Sequence, residues 1–145
     1  MKSSYDESYL ADVQKNLGFF FQFMLCNMKF SPEEVQKKFL ESIIPHQIEI
    51  GNPDFLCGKS GLELAKICLE NTDVSSQISE SLSEPYYPQA EFWSGYVLAY
   101  CQWKNAISFS EILSNYSLEL LLSNYSLMHE ADISKINQLI MEKII

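Results

Sequence analysis

The chain has 145 residues, 47% of them hydrophobic, which is enough to bury the core of one domain and excludes disorder over most of its length. Nineteen Asp and Glu oppose ten basic residues, every one a lysine, and the formal net charge is −9. An acidic chain without arginine is a poor match for nucleic-acid phosphates and is repelled by an anionic membrane surface, so neither is expected as a partner.

Residues 6–28 predict the first helix, because Leu10, Val13, Leu17, Phe20, Phe21, Met24 and Met28 recur every three or four positions. The cluster Phe19-Phe20-Phe21-Gln22-Phe23 is apolar almost all round, which places this helix centrally. Ser31-Pro32-Glu33-Glu34 spells an N-cap, a proline in the first turn and a capping box, with Phe30 and Val35 spaced as a hydrophobic staple. That helix is predicted to run to about residue 43, ahead of Pro45. Residues 46–59 read as irregular, with Ile48-Glu49-Ile50 as a short extended piece, and residues 61–70 as a short helix with Leu62, Ala65, Cys68 and Leu69 on one face. Residues 74–88, polar and serine-rich, read as a loop and as the most mobile part of the chain.

The second half is dominated by an aromatic helix over residues 89–105. Phe92, Tyr96, Ala99, Tyr100 and Trp103 make one stripe and Trp93, Val97 and Cys101 a neighbouring one, so the helix is expected between others, its rings in the core. Gly95 and Ala99, four apart, would let another backbone approach. A short helix follows at 108–115, with Ser108 and Glu111 as a capping box. Ser114-Asn115-Tyr116-Ser117-Leu118 then recurs nine residues later as Ser123-Asn124-Tyr125-Ser126-Leu127, each copy read as ending one helix and capping the next. The last helix is expected over 127–143, with Ile133, Ile136, Ile140 and Ile144 inward and Glu130 and Asp132 in its first turn, where the helix dipole favours acids.

Motifs with chemistry are sparse. Gly58-Lys59-Ser60 lacks the glycine of a phosphate loop, since Pro53 stands at that position and has no N–H to donate. His129-Glu130-Ala131-Asp132 resembles the start of a metallopeptidase helix, but position 133 is Ile instead of the second His. The four cysteines, Cys26, Cys57, Cys68 and Cys101, have no metal spacing and no secretion signal precedes them, which reads as a reduced cytoplasmic protein. No metal and no cofactor is therefore expected. Cys57 with His46 and Cys101 with His129 stay open as thiol–imidazole pairs. The longest apolar run, ten residues from Leu17, falls short of the roughly 20 that span a bilayer.

Three stretches carry a resemblance: GNPDFLCGKSGLELAK, EFWSGYVLAYCQWKNAISFSEIL and LMHEADISKI, all within residues 51–142. Their wording resembles a family of uncharacterised small helical proteins of low-GC Gram-positive bacteria. Genes of that family often sit beside toxin-like genes, ADP-ribosyltransferase-like ones among them, so the resemblance implies an antitoxin-like or immunity-like role and supplies no catalytic residue. Cys101 and Lys104, flanking Gln102-Trp103, depart from the aromatic neighbours of the family pattern.

Together these readings predict a single all-α domain over 1–145, of about six helices, in which the aromatic helix and the last helix pack against the first. The expected function is that of a non-enzymatic protein-binding module covering a basic protein partner. Residues 59–145 carry 5 Lys against 11 acids, a net −6, so the binding surface is placed in that half, with Glu130, Asp132 and His129 as polar contacts and Tyr86 and Tyr87 as apolar anchors. The competing expectations are a small enzyme using His129, Glu130 and Asp132 with Tyr100 or Lys59, and a homodimer or other homo-oligomer serving as an accessory protein.

Overall fold

Asp6 opens the first helix, its carboxylate accepting the Ser8 N–H, and one 3₁₀ turn (Glu7–Tyr9) leads into α1, Leu10–Gln22. The computed structural model describes residues 3–70 and 89–144; the loop expected at 74–88 lies outside the described residues, Tyr86 and Tyr87 with it. Leu17, Phe20 and Phe21 are fully buried, and Gln14, Asn16 and Gly18 on the other sides of the helix are buried too, so α1 is the central rod of the fold. Its end widens into a π-helical turn, Phe23–Asn27, in which Met28 N–H reaches the Phe23 carbonyl, and Lys29, at φ 61°, stops it in the left-handed region.

Ser31 and Glu34 form the complete reciprocal capping box of α2, Pro32–Glu41. This helix turns Val35 and Phe39 inward, where Phe39 meets Phe20, Phe21 and Phe109 at centroid distances of 5.6, 5.1 and 5.3 Å. Each ring buried this way contributes roughly 1.5–3 kcal/mol. The extended piece expected at 48–50 is helical instead. Pro45 sits in the first turn of α3, Ile44–Glu49, the Ser42 hydroxyl accepts the Ile44 N–H, and Ile44 and Ile48, four apart, are both buried. Gly51, at φ 76°, ends that turn, and Asn52 caps a further one, α4, Pro53–Leu56.

Ser60 and Glu63 form a second capping box at α5, Gly61–Cys68, which the sequence reading overlooked. The buried face of α5 is Gly61, Leu64 and Ala65 with Leu69 beyond it; Leu62 and Cys68 lie at its edge. A Cβ on Gly61 would fall 2.6 Å from Phe19 Cβ and 2.7 Å from Phe20 N, so α5 begins in backbone contact with α1.

The longest helix, α6 (Ala90–Asn105), lies along α1. Gly95 is the contact: a Cβ there would fall 2.3 Å from the Leu17 carbonyl oxygen. The expected close approach is thus real, and its partner is α1. The other end of α6 is laced to the N-terminal segment, where Ser4 N–H donates to the Trp103 carbonyl (2.9 Å), Trp103 Nε1–H to the Tyr5 carbonyl (2.8 Å) and Gln102 Nε2–H to Ser4 Oγ (2.9 Å).

Three short helices follow: α7 (Phe109–Asn115), α8 (Leu118–Ser123) and α9 (Tyr125–Met128). Ser108 caps α7 by accepting the Glu111 N–H, and Ser117 caps α8 by accepting the Leu120 N–H. Gln36 of α2 serves both elements, its Oε1 accepting the Leu118 N–H at 2.8 Å. In the second copy of the repeated pentapeptide, Ser126 is no cap but lies inside α9. The single last helix expected over 127–143 is broken at 129–132, and α10 is Ile133–Met141. It packs on α6, with Ile136 and Ile140 buried and Asn137 Oδ1 accepting from Asn105 Nδ2 at 2.7 Å. The chain is therefore all-α, with six of its described helices seven residues or longer (α1, α2, α5, α6, α7 and α10). Among the described residues no helix is long and apolar enough to cross a membrane.

Candidate functional site: an aromatic groove beside His129

The first turns of α6 and the short α9 together make an open groove. Phe92 and Tyr96, one turn apart, stack at 6.4 Å and 29°, and Phe19 of α1 supports Phe92 edge-on at 5.0 Å. Trp93 meets Tyr125 edge to face at 5.4 Å and 75°. Tyr125 in turn stacks on the imidazole of His129 at 4.3 Å and 19°. The groove encloses about 270 Å³ and is lined by Gln89, Phe92, Trp93, Tyr96, Tyr125 and His129. Tyr96 is 39% exposed and Leu127, on the same short helix as Tyr125, is 82% exposed.

His129 is pinned as well as stacked. Its Nδ1 lies 2.8 Å from the Tyr125 carbonyl oxygen; since a carbonyl only accepts, Nδ1 carries the donated proton. The break that follows also explains the acids. Glu130 and Asp132 are exposed, but neither stands inside a helical first turn: Asp132 is the extended N-cap of α10, and its carboxylate accepts the Ser134 hydroxyl instead of a backbone N–H. Asp132 does reach the neighbourhood of Tyr100, whose phenol is held above its ordinary range first by partial burial and then by that negative charge.

The expected site is thus brought together in part. His129 lies in the groove, and Glu130 and Asp132 adjoin it in the chain; Tyr86 and Tyr87 lie outside the described residues. Four of the groove's rings, Phe92, Trp93, Tyr96 and Tyr125, were expected in the core or left unassigned. Tyr96 is exposed and Phe92, Trp93 and Tyr125 are half-buried, so the all-core reading fails at Tyr96 and holds only in part for the other three, while further along α6 it is obeyed: Val97, Ala99 and Cys101 are fully buried and Trp103 is 8% exposed. A signal was present in the spacing. Phe92/Tyr96 and Tyr125/His129 are both i,i+4 ring pairs, which stack on a helix surface.

Elsewhere the chemistry is quiet. Cys101 is fully buried, and burial pushes its thiol up to about 12, the opposite of what a nucleophile needs. Cys57 is exposed and its S–H points to the Pro53 carbonyl. Lys59 lies over the Phe55 ring at 5.2 Å, and no hydrogen bond joins His129 to Glu130 or Asp132. Among the described residues no three His, Cys, Asp or Glu side chains gather as a metal would require. A second hollow of about 340 Å³, lined by Lys38, Glu41, Ser42, Ile43, Ile67, Cys68 and Glu70, holds a thiol that burial raises to about 11 despite the nearby Lys38. Comparison with family models, with curated proteins and with solved structures finds no match to this chain.

Proposed function

We propose that this chain is a non-enzymatic protein-binding module of the cytoplasm, an antitoxin-like inhibitor that covers a basic partner encoded beside it. The observation that carries the reading is the open aromatic groove of α6 and α9. A row of partly exposed Phe, Trp and Tyr is the composition of a binding hot spot, and it lies on the first turns of the longest helix. The adjoining Glu130 and Asp132, the net charge of −9 and the family resemblance support a basic protein as the occupant.

The test is co-expression with the product of the adjacent gene. If that product is toxic alone and stays toxic beside the wild-type chain, the antitoxin reading fails. If rescue occurs, combined Glu130→Lys and Asp132→Lys is expected to weaken it and to slow association most at low salt, because exposed acids act over a screening length of about 10 Å at 0.1 M salt. Rescue unaffected by that pair, in a folded variant, places the surface elsewhere.

A further inference from the structure

We propose that the groove is a receptor for one cationic side chain, a lysine or an arginine, presented by a basic protein partner; the inference rests on the protein-binding reading above and names what the site grips. Three observations carry it. The first is ring geometry. Trp93 and Tyr125 stand at 75° to each other while Phe92 and Tyr96 lie within 29° of parallel, so the groove is a corner of rings facing in more than one direction. Ring faces are the negative parts of the aromatic quadrupole, and a cation gains from touching several at once, tryptophan best of all.

The second is charge. Among the described residues no lysine lines the groove, and residues 89–134, which contain both groove-forming segments, hold five carboxylates (Glu91, Glu111, Glu119, Glu130, Asp132) against the single Lys104. A positive head is drawn to such a surface, whereas an apolar side chain gains nothing from it. The third is size and openness. About 270 Å³ lies below the range of roughly 300–1,000 Å³ typical of small-molecule sites, but accommodates one long side chain. An open groove lets the alkyl stem lie on the rings while the charged head stays partly hydrated, the way lysine and arginine ordinarily meet apolar surface.

The experiment uses the full-length chain and four fluorescein-labelled decapeptides: alternating Gly-Lys, Gly-Arg, Gly-citrulline and Gly-norleucine. Citrulline keeps the shape of arginine without its charge, and norleucine keeps the stem of lysine without its ammonium. Fluorescence anisotropy at 0.15 M salt should show the lysine and arginine peptides binding at least ten-fold tighter than their neutral counterparts, with Trp93→Leu removing most of that difference. In a Trp103→Phe background, where Trp93 is the only tryptophan, biosynthetic replacement by mono-, di- and trifluorotryptophan should lower affinity for the lysine peptide stepwise, since fluorine drains the ring face while leaving its shape. This arm decides the matter even if Trp93→Leu fails to fold. Norleucine binding as tightly as lysine, affinity indifferent to fluorination, or no binding of either cationic peptide overturns the proposal. The two readings fail separately: rescue without cation selectivity keeps the antitoxin function and discards the receptor, and cation selectivity without rescue does the reverse.

Discussion

Replacing Gly95 by alanine tests whether α1 and α6 meet backbone to backbone. On helix propensity alone alanine is the better residue, by about 1 kcal/mol. The added methyl, however, would fall 2.3 Å from the Leu17 carbonyl oxygen, 2.5 Å from its carbon and 2.7 Å from Gly18 N. These are backbone atoms of a central helix and have no rotamer to escape into, so the two helices must part by about 1 Å. A gap of that size forfeits roughly a quarter to a half of the dispersion well along the seam. Overpacking typically costs about 1–3 kcal/mol where side chains can repack, and a backbone clash belongs at the upper end. After the propensity gain, Gly95→Ala should destabilise by about 2 kcal/mol or more. Gly18→Ala is the control. The three atoms nearest its methyl would all belong to the Phe92 ring, at 2.7–2.9 Å, a half-buried side chain at the edge of the groove that can swing away, so its net effect should stay within about 1 kcal/mol of zero. Urea unfolding followed by far-ultraviolet circular dichroism should place the Gly95→Ala midpoint well below those of wild type and Gly18→Ala at an unchanged slope. A Gly95→Ala protein as stable as wild type would refute the close crossing and with it the placement of α6.

Trp103→Ala should cost about 3–5 kcal/mol, because it empties a buried site and strands the Tyr5 carbonyl that the indole N–H serves at 2.8 Å; a thermal melt that barely moves would show the ring to be dispensable. Stability should fall at high pH. The Cys101 thiol is raised to about 12 in the fold, against roughly 8.5 in the unfolded chain, so the unfolded state loses its proton first. The contribution is fully present below about pH 8.5 and is lost as pH rises toward 12, at about 1.4 kcal/mol per pH unit for one thiol, and Cys101→Ala should flatten the decline by that amount. Isothermal titration with zinc and with ATP should be flat; stoichiometric micromolar binding of either would overturn the non-enzyme reading.

What could be read from the sequence was local. The capping boxes at Ser31 and Ser60 and the cap at Ser108 each lie within four consecutive residues, so short-range hydrogen bonding decides them whatever surrounds them, and an unread box such as Ser60–Glu63 was still readable. The centrality of α1 was legible for a similar reason, since rings on every side of one helix have nowhere to go but inward. Errors arose where two local signals competed. At 48–50 alternation suggested an extended piece, but proline in the first turn of α3 and the Ile44/Ile48 pair favoured a helix. At 129–132 a continuous apolar stripe suggested one long helix, yet Asp132 adopts the extended N-cap conformation and the helix restarts after it.

That restart is why the ring spacing alone did not place the groove and why its residues are where they are. Had the helix of Tyr125 run unbroken into the last one, a single rod would have carried Tyr125 and His129 on the same axis as Ile136 and Ile140, which are committed to α6. The break at 129–132 lets α9 bring Tyr125 into its T-shaped contact with Trp93 while α10 keeps its own packing on the same long helix. Thus α6 is used twice along its length. Gly95 holds it against α1 and Trp103 holds its far end against the N-terminal segment, while another face of its first turns presents Phe92, Trp93 and Tyr96 to whatever binds. One aromatic run in the sequence therefore serves two purposes, and composition alone cannot apportion it. Which rings are core and which are surface depends on where α1, the N-terminal segment and the helix ahead of α10 meet α6.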